Sequence, residues 1–110
     1  MERVQTVDRY TCHLFSSRGT DDVVIYLYDP GSNLVGKVYF LPDGDPLPPA
    51  EQREGELCCY TLYYPRASLP SVLDLLRNEG PISIVWRGGM DTSLSTEYEP
   101  VGEGEGIGVR

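Results

Sequence analysis

Between Ser68 and Tyr98 the chain sets one capped amphipathic helix, one strand with a clean apolar face and one polar strand in direct succession. This run restricts the fold more than any other feature. Ser68 stands at the N-cap, Pro70 in the first turn, and Leu69, Val72, Leu73 and Leu76 recur at i, i+3, i+4 and i+7. Gly80 and Pro81 supply the stop. Asp74, Arg77 and Asn78 fall on the wet side. Burying the four aliphatic side chains is worth about 6–12 kcal/mol before entropy is charged, so the helix is expected to dock on a sheet and Leu76→Ala to be badly tolerated. Ile82 to Trp86 then alternates Ile82, Ile84 and Trp86 against Ser83, Val85 and Arg87. Arg87 to Asp91 is a turn, and Leu94 to Tyr98 is a short polar strand suited to an edge or a dimer seam.

Upstream, the period is two. Tyr10 to Phe15 reads as a strand closed by the turn-rich segment from Ser16 to Asp21. Val23 to Tyr28, built from β-branched, aromatic and aliphatic residues, reads as a central strand. Asp29-Pro30-Gly31-Ser32-Asn33 has proline for a preset φ and glycine for a positive one, so Leu34 to Leu41 is expected to return as the second arm of an antiparallel hairpin. Gly36 and Lys37 are its weak spots, where a bulge or a close approach fits. Residues 42–56, with four prolines, two glycines and no apolar period, read as a long loop. Leu57 to Tyr64 is a fourth strand, with Leu57, Cys59, Thr61 and Tyr63 on one face and Cys58, Tyr60, Leu62 and Tyr64 on the other.

The expected fold is therefore α+β, an antiparallel sheet of five or six strands with one helix packed on one face, in the order ββββαββ. Residues 1–99 form one domain and residues 100–110 a flexible Gly/Glu tail. At 110 residues, 40% apolar and 24% charged, a single core is within reach.

The net charge of −8 repels polyphosphate at long range, which speaks against a duplex DNA binder. The acids cluster at Asp43, Asp45, Glu51, Glu54 and Glu56 and again at Glu97, Glu99, Glu103 and Glu105. The N-terminal residues carry acids and no apolar run, and no segment reaches membrane-spanning length, so a cytoplasmic protein without membrane contact is expected. Cys12, Cys58 and Cys59 are odd in number and fit reduced thiols better than a disulfide framework.

The segment Leu73-Asp74-Leu75-Leu76-Arg77-Asn78-Glu79-Gly80-Pro81, with Leu94-Ser95-Thr96 and the ending Glu99-Pro100-Val101-Gly102-Glu103-Gly104-Glu105, resembles the C-terminal part of a family of short uncharacterised bacterial proteins with no known activity. The resemblance implies a free-standing small bacterial protein. In architecture alone, four antiparallel strands followed by a helix is similar to the repeat unit of single-strand binders of the Whirly and PUR-alpha type. Those proteins carry a basic, aromatic sheet face, whereas this chain has the aromatics and few of the bases.

Eight tyrosines are the most conspicuous candidates. Tyr26, Tyr28, Tyr39, Tyr60 and Tyr64 would share one face if the second, third and fourth strands are neighbours in suitable register. Such a face packs on a second subunit or stacks a base, and tyrosine is also simply a good residue for a half-wet strand. Lys37, the lone lysine, and Arg87 are the cations that would accompany it. His13 and Cys12 point to opposite faces of one strand and cannot form one site. No catalytic residues, metal ligands or cofactor are expected, since no third group orients a Cys-His pair and the carboxylates around Asp43-Gly44-Asp45 lack a calcium-loop spacing. The acidic, Pro-stiffened loop suits a basic protein partner. The sequence thus points to a non-enzymatic protein-binding or self-assembly module, a homodimer acting through the tyrosine face and that loop. A single-stranded nucleic-acid or nucleotide binder using the same face is the alternative.

Overall fold

The structure, a computed structural model, describes residues 2–16, 23–53 and 59–96. It contains β1 (Arg3–Val7), β2 (Arg9–Leu14), β3 (Val23–Tyr28), β4 (Leu34–Leu41), β5 (Glu51–Arg53), β6 (Cys59–Pro65), a 3-10 turn (Arg66–Ser68), α1 (Leu69–Asn78), β7 (Ile82–Trp86) and β8 (Ser93–Thr96). The class is α+β as expected, but the single sheet is not found. The strands form two sheets, one of five in the order β2-β3-β4-β6-β5 and one of three in the order β1-β7-β8. Pairing is antiparallel except between β4 and β6, which run parallel with Tyr39 opposite Tyr63. The likeness to four antiparallel strands before a helix fails at that pair.

The first sheet switch takes one residue. β1 pairs with β7, Asp8 breaks the ladder, and β2 continues in the other sheet, with the Asp8 N–H donating to the Tyr28 carbonyl at 2.8 Å. The second follows α1, which returns the chain to β7 beside β1 rather than to the edge of the larger sheet.

The β3–β4 hairpin forms as expected. At its turn the positive φ falls on Ser32 (67°) and not on glycine. Asp29 makes this possible: its carboxylate accepts the Asn33 N–H at 2.9 Å and the Asn33 side-chain amide at 3.2 Å, and its carbonyl accepts the Ser32 N–H. These bonds hold the Asp29 carboxyl below its ordinary range, the Asn33 backbone contributing most. The register slips between Leu27 and Tyr28, leaving Val35 as the extra residue of a bulge beside Gly36.

One face of the five-stranded sheet carries Ile25, Leu27, Val38, Phe40, Tyr60 and Leu62, all buried. The three-stranded sheet lays Ile82, Ile84 and Trp86 over it, with the Trp86 ring 5.7 Å from Tyr60 and Ile84 directly above Gly36. A Cβ at Gly36 would stand 2.8 Å from Ile84 Cδ1 and 3.0 Å from Leu27 Cδ1, so glycine here admits the second sheet. The helix covers the rest through Val72, its one buried residue, while Leu69, Leu73, Leu75 and Leu76 are only half-buried. Leu76 is therefore less costly to truncate than its spacing suggests, because the two sheets and the helix share the burial.

Residues 42–53 are not wholly a loop, since β5 adds to the edge of β6. The loop is tied at both ends of its described part. Asp43 Oδ1 accepts the Ala67 N–H at 2.8 Å and caps the 3-10 turn, and the Ala50 N–H donates to the Gly89 carbonyl at 2.9 Å. Ser68 occupies the N-cap position of α1 without a side-chain cap bond. No helix among the described residues is long and apolar enough to cross a membrane. The Gly/Glu ending that carries the family resemblance lies outside the described residues.

Candidate functional site

The outer face of the five-stranded sheet is where the candidates converge. Strand pairing aligns two rows across it: His13, Val24, Tyr39 and Tyr63 in one, and Thr11, Tyr26, Lys37 and Thr61 in the other, with Glu51 opposite Thr61. Tyr28 stands beyond Tyr26, opposite Arg9. Because side chains alternate, Tyr26, Tyr28, Tyr39 and Lys37 share this face, whereas Tyr60 and Tyr64 are turned to the core. Tyr60 is 3% exposed and packs on Trp86; Tyr64 stacks on Phe40 at 6.1 Å. The five tyrosines do not form one surface.

Tyr63 takes the place expected of Tyr60 and Tyr64. Its ring stacks on Tyr39 with centroids 5.8 Å apart and planes 21° from parallel. Its pKa is raised, first by burial, then by the negative charge of Glu51, to which its hydroxyl donates a hydrogen bond. The parity needed to place Tyr63 was in the alternation of its strand; what the sequence lacked was the parallel neighbour.

Beside these rings the face hollows into an open groove of about 760 Å³. Lys37, Tyr39, Cys59 and Tyr63 line it, and Glu51 and Arg53 of β5 form its far wall. Its walls follow from strand register, since Lys37 and Tyr39 are two apart on β4 and Cys59, Thr61 and Tyr63 are two apart on β6. Among the described residues Lys37 makes no ion pair. Arg53 and Glu51 could not be found from the sequence, because three residues between prolines and a glutamate-rich stretch show no period.

At the β2 side lies a second cluster. The Thr11 hydroxyl is 3.1 Å from His13 Nε2 and 3.5 Å from the Tyr28 hydroxyl, and the His13 ring meets Tyr26 edge-on at 5.0 Å and stacks on Phe15 at 5.7 Å. These rings leave Val24 1% exposed although it points away from the main core. Cys12 lies on the opposite face of β2 from His13, as alternation requires.

Arg87 does not join the site. It lies just beyond β7 in the other sheet, where its guanidinium pairs with Glu2 at 3.0 Å and reaches Asp91 at 4.0 Å. The hydrogen bond to Glu2, and that residue's charge, hold its pKa above the usual value. No cluster of His, Cys, Asp or Glu suited to a metal ion occurs among the described residues. Asp43 of the acidic loop uses one carboxylate oxygen, Oδ1, to cap the 3-10 turn. Comparison with family models, with curated proteins and with solved structures finds no match for this chain.

Proposed function

We propose that this protein is a non-enzymatic self-assembly module, a homodimer formed by pairing of β2 with β2 of a second copy so that two five-stranded sheets become one. The observation that carries the reading is the open edge of β2. Among the described residues this strand bonds only to β3, and its other side presents six residues with neither proline nor lysine nor a bulge, its one formal charge being Arg9 at the first position, paired with Asp8 at 3.3 Å. Leu14 there is 77% exposed and Cys12 is exposed.

The sequence of β2 is complementary to itself when two copies run antiparallel about a two-fold axis through Cys12. Tyr10 then faces the partner's Leu14 on the core side, which covers the exposed leucine with a ring already packed on the core. On the outer side Thr11 faces the partner's His13, a hydroxyl against an imidazole. The aromatic face of one copy continues into that of the other. The three remaining edges among the described residues are poorer candidates: β5 has three residues, two of them charged, β8 is short and serine-rich, and β1, paired with itself about Gln5, would set Arg3 against the partner's Val7.

Across such an axis the two Cys12 Cβ atoms lie about 4.5–5.5 Å apart. Light scattering of the full chain over a range of concentrations is expected to give a dimer, and a short bismaleimide to join two chains through Cys12. Leu14→Lys, which places a charge on the buried side of the seam at a position open to solvent in the monomer, is expected to leave a folded monomer. A wild-type protein that stays monomeric at high concentration, or a dimer indifferent to Leu14→Lys, removes the proposal.

A further inference from the structure

We infer that the groove between β4, β6 and β5 binds a small molecule joining one flat ring to one phosphate, a nucleoside monophosphate in chemical class. The groove is independent of the β2 edge: β3 separates them, and no groove residue belongs to the proposed seam.

Three observations combine. The size, about 760 Å³, lies within the range of small-molecule sites and holds one nucleoside with its phosphate. The stacked pair of Tyr39 and Tyr63 offers half-buried ring surface at one end, the kind of platform on which a base lies whatever its identity. At the other end stand Lys37 and Arg53. Lys37 lies opposite Thr61 and Arg53 opposite Cys59, both one step or more toward the start of β6 from Tyr63. Two residues along a strand span about 6.6 Å, so the backbone positions that bear the ring and the ammonium are separated by the order of distance between a base and its 5′-phosphate.

Charge selects a single phosphate rather than a strand. The chain carries −8 overall, and its one lysine lies here, with Arg53 on the far side of β6 from it and, among the described residues, one lining carboxylate, Glu51, engaged by the Tyr63 hydroxyl. Two cations suffice for one phosphate in a protein whose net field repels a polyanion. Lys37 is half-buried in the groove, so its ammonium acts where water screens it less than at an open surface. No bond is made or broken in this reading.

Equilibrium dialysis of the full chain against the four common ribonucleoside 5′-monophosphates tests the site. Saturable binding of at least one, with Kd below about 1 mM, is expected. The matching nucleoside without phosphate and ribose 5-phosphate without a base should each bind at least ~10-fold more weakly, since each keeps only one end of the contact. Lys37→Met should weaken binding by ~10-fold or more with an unchanged melting profile, and Arg53→Gln should weaken it independently. Bound ligand should slow alkylation of Cys59, localised by fragment mass spectrometry, while leaving the rate at Cys12 unchanged. The folded monomer Leu14→Lys should bind as the wild type does, so loss of the dimer and loss of the ligand are separate results. Failure of all four nucleotides to bind, binding insensitive to Lys37→Met and Arg53→Gln, or tighter binding of a short oligonucleotide would overturn the inference.

Discussion

Tyr63 and Tyr64 are adjacent in the chain and face different surroundings. The first stacks on Tyr39 at the groove and the second on Phe40 against the core, because one step along a strand reverses the side chain. Both have raised pKa values. Burial is the main cause in each; Glu51 adds to it at Tyr63, and the Leu94 backbone bonded to the hydroxyl opposes it at Tyr64. An unfolded tyrosine ionises near pH 10, so between that pH and the higher folded values the native state holds more protons than the unfolded chain. The stability these two hydroxyls contribute is therefore complete below about pH 10 and is lost as pH rises through the folded values. Titration of tyrosinate absorbance should show Tyr63 and Tyr64 lagging behind free tyrosine, and Tyr64→Phe should flatten part of the alkaline decline in stability. Equal slopes in the two proteins would show that Tyr64 takes no part.

At the scale of elements, the hairpin and the helix were legible because each announces itself locally. The hairpin has two apolar runs about a Pro-Gly turn, and the helix has a 3.6-residue period bounded by Ser68 and Gly80. β5 was not legible, since three residues carry no period, and neither was β1, whose Arg-Val-Gln-Thr-Val alternation is diluted by polar side chains. The cap on the 3-10 turn was hidden for another reason: Asp43 acts on Ala67 from 24 residues away, and no local pattern records that contact. Removing it in Asp43→Ala leaves the Ala67 N–H to water and should cost about 1 kcal/mol in urea unfolding, while Asp43→Asn, which keeps an acceptor oxygen, should recover most of it. An alanine variant as stable as wild type would mean that the Ala50–Gly89 bond and the β5–β6 pairing hold the segment without Asp43.

For the whole molecule, alternation along a strand tells which residues share a face but not which strands are neighbours, and that is why the number of sheets escaped the sequence. Nothing in Val7-Asp8-Arg9 marks a change of sheet, and the parallel β4–β6 pair requires a partner reached through the residues of β5. The two sheets nonetheless enclose one core, since Ile84 of the smaller sheet rests on the Gly36 strand of the larger and Trp86 on Tyr60. A shared core has no unit that can unfold by itself, so one transition is expected. Trp86, the lone tryptophan, reports on the three-stranded sheet by fluorescence, while far-ultraviolet dichroism reports on all the strands. The two urea curves should coincide. Leu62→Ala in the larger sheet and Ile84→Ala in the smaller, both at side chains almost wholly buried, should each cost about 2–5 kcal/mol and move both curves together. If Ile84→Ala shifted the tryptophan curve ahead of the dichroism curve, the smaller sheet would be a separate folding unit and the common core would be wrong.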